Sequence, residues 1–180
     1  MSDISKRLDI LHNQILRACN AADRNPTDIN ILAVAKTQPS SSIASALSSG
    51  QKHFGENYLQ ESLPKILALP SATWHFIGAI QSNKTKNIAE NFDWVHSVAS
   101  LKVARRLNDQ RPTHLNPMKI LIQINVSNER NKSGVAIAET LKLATDIAAL
   151  PNLSLQGFMA IPEPSNSFEQ QRQPFRHARE

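Results

Sequence analysis

Six short apolar runs alternate along this chain with stretches of helical periodicity, and this alternation restricts the fold more than any other feature. The runs are rich in β-branched and aromatic side chains and are closed by turn residues, as is typical of strands. We expect strands at residues 31–36, 52–57, 74–78, 94–98, 119–126 and 153–161, and helices at 3–23, 40–49, 59–69, 82–90, 100–110, between a polar 127–133 loop and 149, and from 168 onward. Repeated strand–helix units with buried strands predict an α/β fold with a parallel sheet.

Two closures of such a sheet compete, the open doubly wound sheet and the TIM-type (β/α)8 barrel. Neither G-x-G-x-x-G nor a P-loop follows the first strand, so the usual nucleotide fingerprints are absent from this sequence. Polar or small residues predominate at the strand ends, which are Lys36, Glu56 with Asn57, Gly78, Ser97, Asn125 with Ser127, and Met159. Because a barrel gathers all strand ends at one mouth, this pattern favours a barrel with a shared pocket, formed as one domain over residues 1–180.

The composition argues against several classes of function. The net charge is +5 and the pI about 9.6, but the basic residues are scattered and aromatic residues are only 5%. Stacking surfaces for single-stranded nucleic acid are therefore scarce, and we do not expect nucleic-acid binding. Cys19 is the only cysteine, which leaves no intrachain disulfide or cysteine-based metal site and fits a reducing cytosol. With no signal-peptide core and no membrane-spanning apolar run, we expect a cytoplasmic protein without a bound metal.

Lys36 is distinctive because it follows the first apolar strand directly and precedes a polar turn that contains Pro39. Ligands of α/β proteins bind at the carboxyl ends of the strands. A partly desolvated lysine at such a position can lose its proton and attack an aldehyde. The alternative is a surface lysine that merely ends a strand, and the position alone leaves both interpretations open.

Six segments of the sequence together resemble one known family. They are LAVAKTQP (32–39), HFGENYLQE (53–61), WHFIGAIQSNKTK (74–86), FDWVHSV (92–98), ILIQINVSNERNKSGV (120–135) and LQGFMAIP (155–162). In their order and spacing they are similar to the YggS/PROSC family, the pyridoxal phosphate homeostasis proteins. The resemblance implies the fold of the N-terminal barrel of alanine racemase. It also implies a pyridoxal 5′-phosphate (PLP) cofactor held as a Schiff base on Lys36.

The resemblance implies cofactor contacts for four further residues. Asn57 would hydrogen-bond ring substituents, and His75 and Gly78 would line the pocket wall, where a glycine lets backbone approach closely. Met159 would pack on the pyridine ring. Structural alternatives remain, because His75 falls in mid-strand, where a hydrogen-bonded core histidine is common, and Met159 can be plain core. Glu56 is either a buried acid or a strand-end carboxylate bonded to a neighbouring lysine.

The family pattern continues beyond the last residue of this sequence. About six βα units are present, whereas a (β/α)8 barrel needs eight. The family's S-x-G-M-S-x-D-M and V-R-I-G-x-x-I-F-G segments, which supply most of the phosphate grip and an arginine facing the pyridine nitrogen, do not occur in these 180 residues. We therefore expect an incomplete, C-terminally truncated barrel with weak cofactor binding and low solubility.

The function implied by the resemblance is PLP homeostasis, with an effect on amino-acid and keto-acid balance. The protein would bind the cofactor as a monomer and without an established turnover, no catalytic residue would be assigned, and PLP-dependent enzymes would be the recipients. A weakly active racemase-like PLP enzyme is the alternative. Tyr58 is the only tyrosine, and it is not a candidate for the tyrosine base of alanine racemase, which lies on a second domain. Lys36-dependent exchange of a substrate α-proton in deuterated water would distinguish the two functions.

Overall fold

Strands and helices alternate along most of the computed structural model, which describes residues 3–126 and 134–179. The strands are β1 (Ala33–Val34), β2 (His53–Glu56), β3 (Thr73–Phe76), β4 (Trp94–Val98), β5 (Met118–Asn125), β6 (Val135–Ala136) and β7 (Leu153–Met159). The helices are α1 (Asp3–Ala21), α2 (Ser40–Ser48), α3 (Leu59–Ala68), α4 (Thr85–Asn91), α5 (Leu101–Gln110), α6 (Ile137–Ala148) and α7 (Phe168–Arg179). These elements confirm the predicted α/β class, while the predicted loop at 127–133 lies outside the described residues.

Two compact units make up the chain, residues 1–74 and residues 75–180. In the first unit β1 pairs with β2 in parallel, with Ala33 opposite Phe54. Phe54 packs against Trp74, with 5.8 Å between the ring centroids, and both side chains are buried. This contact is part of the buried core of the first unit. That the whole chain forms one domain stays a prediction.

The first strand is shorter and more exposed than the sequence predicts. Only Ala33 and Val34 form β1, and Val34 is 50% exposed, so the prediction of a buried strand over residues 31–36 is wrong. Successive strand residues point to opposite faces, and only one face of β1 is covered by the described residues. Ala35 is buried and its N–H donates to Gly55 O at 2.8 Å, which extends the parallel pairing by one residue.

In the second unit the longest strand, β5, organises the sheet. It pairs in parallel with β4, β6 and β7, and β4 in turn pairs in parallel with β3. Alternate residues of β5 are buried, which are Met118, Ile120, Ile122 and Ile124. Ile88 of α4, Leu107 of α5 and Ile147 of α6 are fully buried and complete the core of this unit. In the described part of the chain, none of the helices is both long enough and apolar enough to cross a bilayer.

Candidate functional site

Lys36 and Asn57 lie just beyond the carboxyl ends of the neighbouring strands β1 and β2. Val34 stands opposite Gly55 in the parallel register, so each of the two residues follows this pair by two positions. Lys36 is exposed, which corrects the expectation of a partly desolvated amine. The reason is local, because Lys36 sits in a turn after a two-residue strand, and residues 37–39 are exposed as well. The amine is therefore accessible to a ligand.

Asn57 carries a buried amide oxygen that has no protein partner. Its Oδ1 is shielded from solvent and accepts no hydrogen bond from the residues that the structure describes. Buried polar atoms are nearly always hydrogen-bonded, so an atom left without a partner needs an explanation. A polar ligand bound next to Asn57 would provide the missing hydrogen bond. The two strand ends thus offer one accessible amine and one unsatisfied amide.

A buried ion pair joins the end of β2 to α3 in the same unit. Lys65 Nζ lies 2.7 Å from Glu56 Oε1, and it also donates to Ala35 O at 2.9 Å. Glu56 is 0% exposed and Lys65 only 8%. Burial raises the pKa of Glu56 above its ordinary value, while the hydrogen bond and the positive charge of Lys65 act in the opposite direction. The interpretation of Glu56 as a carboxylate bonded to a neighbouring lysine is confirmed.

His75 belongs to a group of aromatic rings on β3 and β4 in the second unit. It is 6% exposed, and its Nδ1 lies 2.9 Å from His96 Nε2. Its ring stacks on Trp94 with 5.2 Å between the centroids, and Lys119 Nζ lies 5.2 Å from the centroid of the same tryptophan. His75 is therefore a hydrogen-bonded core histidine. A contact between His75 and the cofactor stays a prediction.

We expect the burial of His96 to make the folded chain less stable in mild acid. Burial lowers the pKa of His96 from 6.5 to about 4, so the unfolded chain takes up a proton before the folded chain does. The stability that the neutral His96 contributes to the folded chain is therefore fully present above pH 6.5, and it is lost as the pH falls towards 4. We expect His96→Gln to remove on the order of 2 kcal/mol of this pH dependence, measured by urea unfolding at pH 7 and pH 4.5. His12→Gln changes an exposed histidine and should keep the full dependence; an unchanged dependence in His96→Gln would contradict the assignment.

Gly78 follows β3 and is joined to β4 by the side chain of Ser97, which was predicted only as a polar strand end. It is buried, and its carbonyl accepts a hydrogen bond from Ser97 Oγ at 2.5 Å. Ser97 is itself buried near the end of β4. The hydrogen bond fixes the backbone at Gly78, and its contact with a cofactor stays a prediction.

Met159 is the last residue of β7, where it pairs in register with Gln123 of β5. It is partly buried and lines a groove of about 500 Å³ together with Phe158 and with Phe175 of α7. The groove walls are mainly apolar, which suits a methionine that packs rather than one that reacts. The role of Met159 against a pyridine ring stays a prediction.

The predicted site residues are distributed over both units of the chain. Lys36 and Asn57 come together in the first unit, at the ends of β1 and β2. His75 and Gly78 lie in the second unit at β3, and Met159 lies there on β7. Among the residues that the structure describes, no three His, Cys, Asp or Glu side chains are grouped closely enough to hold a metal ion.

Known proteins share both the sequence and the fold of this chain. The alanine racemase N-terminal domain family matches residues 7–180. The pyridoxal phosphate homeostasis protein of Escherichia coli K12 is 47% identical over 176 residues, which are 95% of this chain and 75% of that protein. The protein of the same name in Pseudomonas aeruginosa is 47% identical over 182 residues, covering 100% and 79%. The structure of PipY from Synechococcus elongatus PCC7942 with PLP bound has a TM-score of 0.84 at 30% identity, covering 98% of this chain and 79% of PipY.

The family match and the parallel α/β fold define the class of protein first: this is the fold of the alanine racemase N-terminal domain. Identities near 47% over almost the whole chain narrow the class further. The chain belongs to the family of pyridoxal phosphate homeostasis proteins. An accessible amine at Lys36 and an unsatisfied buried amide atom at Asn57 fit a cofactor that carries an aldehyde and polar ring substituents.

Proposed function

We propose that this chain binds pyridoxal 5′-phosphate covalently through Lys36 and acts in homeostasis of that cofactor. The observation that carries the proposal is the placement of Lys36 and Asn57 at the ends of two paired strands. The exposed Lys36 lies two residues after Val34 of β1, and Asn57, with its unsatisfied amide oxygen, lies two residues after Gly55, the partner of Val34 in β2. The names of the 47% identical relatives support the homeostasis role, and PipY with PLP bound supports the choice of cofactor.

The residues have separate tasks in this proposal. PLP supplies an aldehyde that condenses with a primary amine. Lys36 provides that amine, and its exposure lets it reach the aldehyde of a ligand that arrives from solvent; the condensation releases water. Asn57 orients the ligand by a hydrogen bond to its buried amide. Glu56 and Lys65 are paired with each other, so Lys36 is the amine at this strand end that is left for the ligand.

The wider role is also part of the proposal. We place the protein in the cytoplasm as a monomer that exchanges PLP with PLP-dependent enzymes, in keeping with its single cysteine, Cys19, which is buried in α1. A racemase role would need an acid–base pair on either side of a substrate α-carbon. Tyr58, the only tyrosine of the chain, is 55% exposed, and a solvated phenol is poorly placed to act as a buried base.

Titration with PLP tests the proposal. We expect a visible absorption band distinct from that of free PLP, rising to saturation at one cofactor per chain. The PLP concentration at half-saturation tests the expectation of weak cofactor binding. Pyridoxal without the phosphate is the control ligand, and it should saturate only at a higher concentration because it lacks the anionic group that a chain of net charge +5 attracts. An absorbance that rises in proportion to PLP without saturation, as simple amines give, would contradict the proposal.

A further inference from the structure

A contribution to the stability of the fold does not explain why the buried Glu56–Lys65 ion pair is present. The Glu56 side chain is fully buried and the Lys65 side chain almost so, with 2.7 Å between Nζ and Oε1. Taking two charges out of water costs about as much free energy as their attraction returns. Apolar residues of similar size at the same positions often give equal or greater stability. Glu56 Oε2, moreover, has no hydrogen-bond partner among the described residues. A buried pair of this kind is better explained by what it holds in place.

The pair holds the residue immediately before Lys36. Lys65 Nζ donates to Ala35 O at 2.9 Å, and the Gln38 N–H donates to the same oxygen at 3.1 Å. On its other side, the Ala35 N–H donates to Gly55 O of β2 at 2.8 Å. Ala35 is therefore fixed through both its N–H and its C=O, and the C=O contact comes from a charged donor, which makes a stronger hydrogen bond.

The residue immediately after Lys36 is held in an unfavourable conformation. Thr37 has φ +62°, a left-handed backbone that is rare for a β-branched residue. Its Oγ1 donates to Lys36 O at 2.6 Å, which partly offsets the cost. Strained residues of this kind persist only where the surrounding structure determines them, and they concentrate at functional sites. Lys36 thus stands between a fixed residue and a strained turn.

We propose that Lys65, anchored by Glu56, is a positioning residue for Lys36: by holding the Ala35 carbonyl it maintains the strained turn that carries Lys36. The proposal rests on the proposed function of Lys36. Neither Glu56 nor Lys65 touches the ligand in this account. Their effect passes through the backbone of residues 35–37.

Two variants and one control test the proposal. Glu56→Leu combined with Lys65→Met removes both charges together, so that neither is left unpaired in the core and the chain still folds. Glu56→Gln is a gentler second variant, which keeps the side-chain shape and removes only the anion that anchors Lys65. Lys52→Met is the matched control, because Lys52 is an exposed lysine of the same unit with no part in the pair.

Hydrogen exchange of the cofactor-free chain is the first measurement. We expect amides within residues 33–39 to exchange at least about tenfold faster in the double variant and about threefold faster in Glu56→Gln. Residues 118–125, in β5, should keep their wild-type rates in both variants. The Lys52→Met control should match the wild type throughout. Wild-type exchange of residues 33–39 in Glu56→Gln and in any folded double variant would overturn the proposal.

The visible circular dichroism of bound PLP is the second measurement, because it reports how rigidly an asymmetric site holds the chromophore. We expect the double variant to lose at least about half of the signal at saturation and to bind about tenfold more weakly. An unchanged signal and affinity would overturn the positioning role. The proposed function fails separately, if the wild-type chain itself shows no saturable PLP binding. Hydrogen exchange would then still decide whether Lys65 orders the segment around Lys36.

Discussion

Replacement of Lys36 with alanine is expected to reduce borohydride-stable attachment of PLP by at least about tenfold. Borohydride reduces the bond between an amine and the cofactor's aldehyde, so intact-mass measurement after reduction counts the attached groups. Lys36 follows β1 at the register position at which Asn57, whose buried amide oxygen has no partner among the described residues, follows the neighbouring strand β2. Orientation by such a neighbour is what raises reaction at one amine above that of the others.

Lys52→Ala is the control for this experiment. Lys52 is an exposed lysine immediately before β2 and should be labelled only at the background level of a surface amine. We therefore expect Lys52→Ala to retain wild-type attachment at one PLP per chain. Equal attachment in Lys36→Ala and in the wild type would show that the reaction is non-specific, and the assignment of Lys36 would be wrong.

Arg111→Met is expected to lower the free energy of unfolding by about 3 kcal/mol. Arg111 is 8% exposed, and its guanidinium donates to Ala89 O at 2.6 Å, to Phe92 O at 2.9 Å and to Asn116 O at 2.9 Å. Burial lowers the pKa of Arg111, Asp93 acts against that shift, and a guanidinium stays charged at neutral pH in any case. Methionine would fill the space and leave three carbonyl groups without their charged donor.

Arg105 provides the matched comparison for this stability prediction. It lies on the exposed side of α5, so Arg105→Met should change the free energy of unfolding by no more than about 0.5 kcal/mol. Urea unfolding followed by far-UV circular dichroism measures both variants. A loss below about 1 kcal/mol in Arg111→Met would mean that the carbonyl groups find other partners, and that Arg111 does not hold this corner of the second unit together.

Most of the fold could be predicted from the sequence, because local periodicity determines where long elements lie. The predicted helix at 100–110 and the observed α5 differ by one residue, and β5 was recognisable from its β-branched run. Two features could not be predicted this way. Strand β6 is only Val135–Ala136, too short for any periodicity, and the exposure of Val34 depends on which face of β1 other elements cover.

A site residue could be predicted from the sequence where it stands at the end of a recognisable strand. Lys36 was distinctive for its place at a strand end, whereas its role and the choice of Asn57 came from the family resemblance; both residues do follow neighbouring parallel strands. Lys65 was missed because its partner, Glu56, lies on another element. A signal was present: Lys65 shares the buried face of α3 with Leu59 and Ser62 at three-residue spacing, an unusual place for a lysine.

The contact between His75 and His96 was beyond sequence reasoning for a related reason. It depends on the register in which β3 pairs with β4, where His75 stands opposite Trp94 and His96 follows two residues later. A shift of one residue would send every side chain to the other face of the sheet. Pairing register is set by the packed structure, so the sequence could suggest a core histidine without identifying its partner.

Peptide mapping of the wild-type chain after PLP binding and borohydride reduction shows which lysine carries the cofactor. At one equivalent of PLP, we expect the reduced pyridoxyl group on Lys36 in the peptide that contains residues 32–39, with every other lysine at background level. This result would establish that the lysine after β1 is the attachment site. A label distributed over several exposed lysines, or concentrated on one other than Lys36, would contradict the account.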